Sequence, residues 1–334
     1  MNKKKLIAGV LCALAVAAAG CGVGSDKKDD GKKPAAAKGD WKPQSAISLV
    51  IPAGAGGDTD LSARVFAKFA KQKTGYDFVV VNAKGAAGSV ASNQVRSAKP
   101  DGTTVLYGHA LVNVANVAGV TDFNYTAFKI GPSFAMEPGQ QLYTFKEKYK
   151  DLKSFIAAAK ANPGKLKACT EVGAYTYYEL LAFQKAAGIQ LDLVDAGSTS
   201  DKITAMLSGQ IDLMPAPYVN TKDYLASGKF AMLGAPTAKR YDLIKDYPTL
   251  TEAGVKFTYP DQEFSFYFPK ETPDNVIQFF DKLTKDIVND PECKKALAAL
   301  SIMPNYKNPA DTEKTEKATY ETIKKIADEL GAKK

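Results

Sequence analysis

Ile47-Ser48-Leu49-Val50-Ile51-Pro52-Ala53-Gly54-Ala55-Gly56-Gly57-Asp58-Thr59-Asp60-Leu61 contains the unit from which the rest of the chain is built. Its first five residues read as a strand and the glycine-rich stretch as a turn. Leu61, Val65, Phe66 and Phe69 then recur at helical spacing. A strand that passes through such a turn into a helix is the opening unit of a parallel α/β sheet. The unit recurs at once: Phe78-Val79-Val80-Val81 is a strand, Lys84 to Gly88 a glycine turn, and Val90 and Val95 mark a helix before a third strand, Thr104-Val105-Leu106-Tyr107. After about residue 145 the pattern is written again. Leu152 to Ala161 is predicted as a helix stopped by Asn162-Pro163-Gly164, and strands follow at Leu166 to Cys169, Leu191 to Val194 and Ile211 to Met214. Helices are predicted at Tyr175 to Ala187 and Ser200 to Leu207. Two α/β lobes are the economical reading. The last third adds an aromatic strand, Phe264 to Phe268, and helices at Asp274 to Asn289 and Thr312 to Leu330.

The turns are where chemistry is expected. Ala53, Gly54, Ala55, Gly56, Gly57, Asp58 and Thr59 lie between a strand and a helix start, where peptide N–H groups and the positive helix end converge and favour an anion. Glycine lets a ligand approach the amides without a side chain in the way. Taken alone this stretch reads equally as a tight turn. Gly85, Ala86, Ala87, Gly88 and Ser89 supply a second copy after the next strand, and ligands of open α/β sheets sit beyond the carboxyl ends of strands. The second half offers Gly173, Ala174, Tyr175 and Thr176, and Asp195, Gly197 and Ser198. Four turns are expected to converge on one cleft. No Walker ending or Gly-x-Gly-x-x-Gly spacing makes the first turn a nucleotide loop.

Catalysis is poorly provided for. His109, the only histidine, follows a strand without a nucleophile beside it and reads as a structural residue or a cleft-lining donor. No metal-ligand spacing is visible and no cofactor is expected. Asp60 reads first as a residue capping a helix start. An enzyme using His109 and Asp60, and a lipoprotein presenting ligand to a signalling partner, are the competing readings.

Composition sets the compartment. Lys3, Lys4 and Lys5 precede an apolar run of 14 residues, Leu6 to Ala19, that ends at Gly20-Cys21. The run is shorter than the ~17 to 25 residues of a spanning helix, so it reads as a cleaved lipoprotein signal with Cys21 as the lipidated residue. Gly22 to Asp40 is polar and small, a tether to the membrane. The formal charge of +8 includes the leader lysines and is spread thinly, which excludes nucleic acid as a partner and favours small anions. Cys169 and Cys293 read as two separate buried thiols.

The chain resembles the extracytoplasmic solute receptors of tripartite tricarboxylate transporters, the Bug family. The likeness rests on Ile51-Pro52-Ala53 leading into Gly56-Gly57, Asp60 and Ala63-Arg64, on Asn82 with Gly85 and Gly88, and on Pro100-Asp101-Gly102. It continues through Ala159 to Leu166, Ser208-Gly209-Gln210-Ile211-Asp212, Ala238-Lys239-Arg240, and Pro248 to Gly254. The resemblance implies an α/β, two-lobed fold like type II periplasmic binding proteins, with two crossover strands. Residues 1–20 would be the signal, 21–45 the lipidated tether, 46–133 and 235–334 the first lobe, and 134–234 the second. It implies a monomer without enzymatic activity that holds a small organic acid between its lobes and docks on membrane permease subunits. Ala53-Gly54-Ala55 replaces the Phe-Pro-Pro of many members, and Tyr175, Tyr177 and Tyr178 crowd the second-lobe helix start, so a ligand other than citrate is expected.

Overall fold

The computed structural model of the protein describes residues 39–171 and 173–331. The expected signal, Cys21 and most of the tether lie outside the described residues. Strand β1 (Ile47–Ile51), helix α1 (Asp58–Thr74), β2 (Phe78–Asn82), α2 (Ser89–Arg96), β3 (Thr104–Gly108) and α3 (Leu111–Val117) alternate as the repeated unit requires. Strand β4 (Phe128–Glu137) leads out of this group. Then come β5 (Gln141–Phe145), α4 (Leu152–Ala161), β6 (Lys167–Thr170), α5 (Tyr175–Ala187), β7 (Asp192–Asp195), α6 (Thr199–Leu207), β8 (Met214–Ala216), α7 (Tyr218–Ala226) and β9 (Phe230–Gly234). The chain returns through β10 (Gln262–Pro269), α8 (Asp274–Val288), α9 (Pro291–Ala299), β11 (Met303–Lys307) and α10 (Pro309–Leu330).

The first sheet has the order β11-β4-β10-β3-β1-β2. β1 is parallel to β2 and β3, while β10 runs antiparallel to β3 and β4. The second has β7 parallel to β6, and β5 antiparallel between β8 and β9. The parallel bridge Ala168 to Leu213 joins the two parts. Each sheet thus has three parallel strands next to an antiparallel one. The chain passes between sheets twice, through Pro138-Gly139-Gln140 and through residues 235–261. This is a two-lobed type II arrangement, and it places the carboxyl ends of β1, β2, β3, β6 and β7 at helix starts.

Side-chain alternation explains why the first sheet is covered on both faces. Leu49 and Ile51 join an aromatic core with Phe66, Phe134, Phe266 and Phe280, while Val50 points the other way toward Val95, Leu106 and Tyr267. A third cluster gathers Val114 and Val117 of α3, Phe155, Tyr178 and Phe183 of the second lobe, Leu250 to Tyr259 of the returning segment, and Ile323 and Ala327 of α10. Helix α10 therefore lies against both lobes. Asn308 accepts from the Asp311 amide and Pro309 takes the first helical position, so α10 starts three residues before the predicted Thr312. The strand predicted at Ile211 to Met214 forms only from Met214, because Asp212 and Leu213 both donate to the Lys167 carbonyl instead of joining a regular ladder. Cys169 and Cys293 are buried free thiols, pushed by burial to about 11 and about 12.

Candidate functional site

The first two turns lie side by side. The Ala83 amide donates to the Ile51 carbonyl at 2.9 Å, and the Asn82 side-chain amide donates to the Ala53 carbonyl at 3.0 Å. Asp60 ties them together. Its carboxylate accepts from the Gly56 amide (2.9 Å), from Asn82 Nδ2 (3.0 Å) and from Arg64 Nε and Nη2 (3.0 and 2.9 Å). Burial opposes its charge, but these donors prevail and hold the group below the usual carboxylate range. Asp60 thus does reach back past the helix start, as its expected capping role implies, yet its larger part is to brace two turns.

Among the described residues, the peptide N–H groups of Gly54, Ala55 and Gly57 have no protein partner, nor have those of Gly85, Ala86 and Ala87. In the second turn four consecutive residues, Gly85 to Gly88, have positive φ. Ala86 (φ 46) and Ala87 (φ 52) hold a left-handed backbone at a cost of about 1 kcal/mol each. Such strain is kept where the geometry of a turn matters. A Cβ on Gly88 would come within 3.0 Å of Leu111, so that glycine is needed for close approach.

His109, at the end of β3, is 8% exposed, and its ring lies edge-on to Tyr175 of the second lobe with centroids 5.6 Å apart. Burial pushes it down to about 4, so at neutral pH it carries no charge. The Gln262 amide sits 3.4 Å from Nε2. Tyr175 is pinned: its hydroxyl donates to the Pro260 carbonyl and its own carbonyl accepts from Tyr259 at 3.0 Å. Gly173 approaches the first lobe as well, a Cβ there lying 3.6 Å from that of Ala118. Ala174 is buried beside it. Thr176 Oγ1 is 2.7 Å from Thr170 Oγ1.

The fourth turn differs from the first two. Its amides are taken up internally: Ala196 donates to the Thr170 carbonyl, Gly197 to Asp195, and Ser198 to Asp201, whose own amide is capped by Ser198. Asp195 and Ser198 are exposed. The structure thus brings the first three βα turns of the first lobe and the Gly173 to Thr176 turn together, and leaves the fourth with few free donors.

Two residues escaped the sequence reading. Lys202 on α6 is 5% exposed and donates to Thr176 Oγ1 at 3.3 Å. Its signal was positional, since it lies four residues before Met206 on the buried stripe of α6. Glu137, fully buried at the end of β4, accepts from the Tyr218 amide at 2.8 Å with Oε1, while Oε2 has no partner among the described residues. Burial, aided by the nearby Asp58 charge, pushes Glu137 well above the carboxylate range. Asp58 is itself raised by burial, against the hydrogen bonds of Thr59 and the field of Lys202. No local pattern announces Glu137. A surface depression between Asp261, Glu263 and Thr319 shares no residue with these turns.

Comparison with known proteins follows the same outline. The family described as "Tripartite tricarboxylate transporter family receptor" matches residues 62–332. The chain is 30% identical over 306 residues to the "UPF0065 protein in gbd 5'region" of Cupriavidus necator, covering 87% of this chain and 91% of that one. Among solved structures it is similar to Rpa4515 of R. palustris with adipate, at a TM-score of 0.79 and 22% identity, over 87% of this chain and 99% of that one. It is also similar to MatC (Rpa3494) of Rhodopseudomonas palustris with bound malate, at a TM-score of 0.72 and 21% identity, over 86% and 98%.

Proposed function

The chain belongs to the tripartite tricarboxylate transporter receptor family, and from that premise we propose that it captures a small organic di- or tricarboxylate between its lobes and delivers it to the membrane permease subunits of such a transporter. The protein is a receptor and not an enzyme. The observation that carries the ligand reading is the pair of adjoining turns in which, among the described residues, the amides of Gly54, Ala55 and Gly57 and of Gly85, Ala86 and Ala87 lack protein partners. One carboxylate of the ligand rests there, with His109 as a neutral wall and the Gly173 to Thr176 turn opposite. Adipate and malate in the two similar structures support an acid of this size.

Amide donors suit capture followed by release. They favour negative charge without a full counter-charge, so the closed form is stabilised by ligand and still opens. We assign the hinge to the two passages between sheets, Pro138-Gly139-Gln140 and residues 235–261; the expected lobes, 46–133 with 235–334 and 134–234, meet near them, with β4 staying in the first sheet as far as Glu137. The apolar run before Cys21 supports export and lipid anchoring. Among the described residues no helix is long and apolar enough to cross a membrane.

The test is a thermal-shift screen of mono-, di- and tricarboxylates, aromatic acids and acidic amino acids. A true ligand at about 100 times its Kd adds ~2.7 kcal/mol to stability. Stabilisation by a sugar or a cation, with no acid active, would overturn the anion reading.

A further inference from the structure

We infer that Lys202 is the residue with which the second lobe reads charge, its ammonium taking up the second carboxylate of a ligand whose first carboxylate rests on the amide turns, so that the site selects dicarboxylates over monocarboxylates of equal length. The inference rests on the carboxylate reading of the cleft and adds to it a specificity-determining residue.

Long basic side chains ordinarily carry their charge out to water. Lys202 does not: it is 5% exposed, and Nζ donates one long hydrogen bond, 3.3 Å, to Thr176 Oγ1. An ammonium has three donors, so two have no protein partner, and among the described residues no carboxylate lies within 4.0 Å of it. A buried cation left this way is costly: burial pulls Lys202 below the usual lysine range against the fields of the surrounding acids, and an apolar side chain four residues before Met206 would pack with less penalty. Glu171, Glu179 and Asp58 act on it through their fields only, and burial raises Glu171 as well. Both oxygens of the fully buried Glu179 lack partners, and burial pushes Glu179 well up and Asp58 up, toward their uncharged forms.

Placement gives the charge its use. Lys202 lies on α6, and its one partner, Thr176, stands in the first turn of α5, steadied by Thr170 at 2.7 Å. The ammonium therefore sits at the start of α5 in the second lobe, and the carboxyl of Asp58, in the first turn of the other lobe, lies within its field. A diacid spanning the cleft supplies the missing counter-ion. A monoacid of the same length brings a methyl group against a desolvated charge.

The experiment is calorimetric titration of wild type and Lys202→Met with succinate and adipate, and with the matching monoacids butyrate and hexanoate. Wild type is expected to bind at least one diacid on the order of 100-fold tighter than its monoacid partner. Lys202→Met should bring that gap to within a few-fold by weakening the diacid alone, while the unliganded variant melts no lower than wild type. A gap that survives in the variant, equal weakening of both acids, or no gap in wild type would overturn the role of Lys202 and leave the cleft reading standing. Failure of wild type to bind any carboxylate overturns the cleft reading itself. Should Lys202→Met not fold, Lys202→Gln gives the same comparison.

Discussion

At the residue scale, the site depends on atoms that are missing as much as on those present. Gly57 has ordinary extended backbone (φ −80), and a Cβ there would meet only the Gly54 carbonyl at 3.9 Å. Gly57→Val should therefore abolish carboxylate binding in a titration while the melting temperature moves little; unchanged affinity would remove this turn from the site. Asp60 makes the opposite prediction. Removing its charge in Asp60→Asn loosens Gly56, Asn82 and Arg64 together and should cost about 1 to 3 kcal/mol at neutral pH in denaturant unfolding. Its folded pKa is depressed, so this contribution is present above the unfolded carboxylate value and is lost as pH falls through the folded one. The difference between wild type and variant should accordingly shrink in acid. Gly57 was legible in the chain because strand, glycine turn and helix adjoin in sequence. The bracing of Asp60 by Asn82, 22 residues away, was not.

At the element scale, each βα turn ends on a helix start, and what differs is how that start is satisfied. Helix α1 begins at Gly57 with no side-chain cap, whereas α6 begins at Ser198, which accepts from the Asp201 amide while Asp201 accepts from Ser198 in return. An uncapped start leaves donors for a guest, and a capped one spends them on stability. Ser198→Ala should therefore cost about 1 kcal/mol in unfolding free energy and leave carboxylate affinity within a few-fold of wild type. A large loss of affinity would show that the fourth turn touches ligand after all. The difference is written in the chain, since Ser198 with Asp201 three residues on has the capping-box spacing and Gly57 has no side chain to cap with.

For the whole molecule, buried acids set the pH response. Glu316 of α10 is 3% exposed, accepts from Tyr267 (2.7 Å) and from Asn113 (2.8 Å), and is pushed up to about 7 by burial against the pull of those donors. Its folded pKa lies above its unfolded one, so the folded state holds the extra proton between about pH 4.5 and 7, and stability falls as pH rises through that window. The loss from this group is at most about 3 kcal/mol. Melting temperature should thus be lower at about pH 8 than at about pH 5.5, and Glu316→Gln should flatten that slope; an equally steep slope in the variant would place the effect elsewhere. The proton sits where α10 is held to α3 and β10 of the first lobe, one to three turns before the residues, Tyr320, Ile323 and Ala327, that reach the second lobe's cluster. The sequence alone determined the strand–turn–helix repeat, the two α/β lobes and the glycine turns at the strand ends, because strand and helix periodicities and glycine chemistry act over a few neighbouring residues. Only the tertiary structure decided that α10 bridges the lobes, that Glu137 is orphaned at the crossing strand, and that Lys202 is buried without a counter-ion. Burial and pairing of charge are set by partners tens to hundreds of residues away, and no local pattern carries that information.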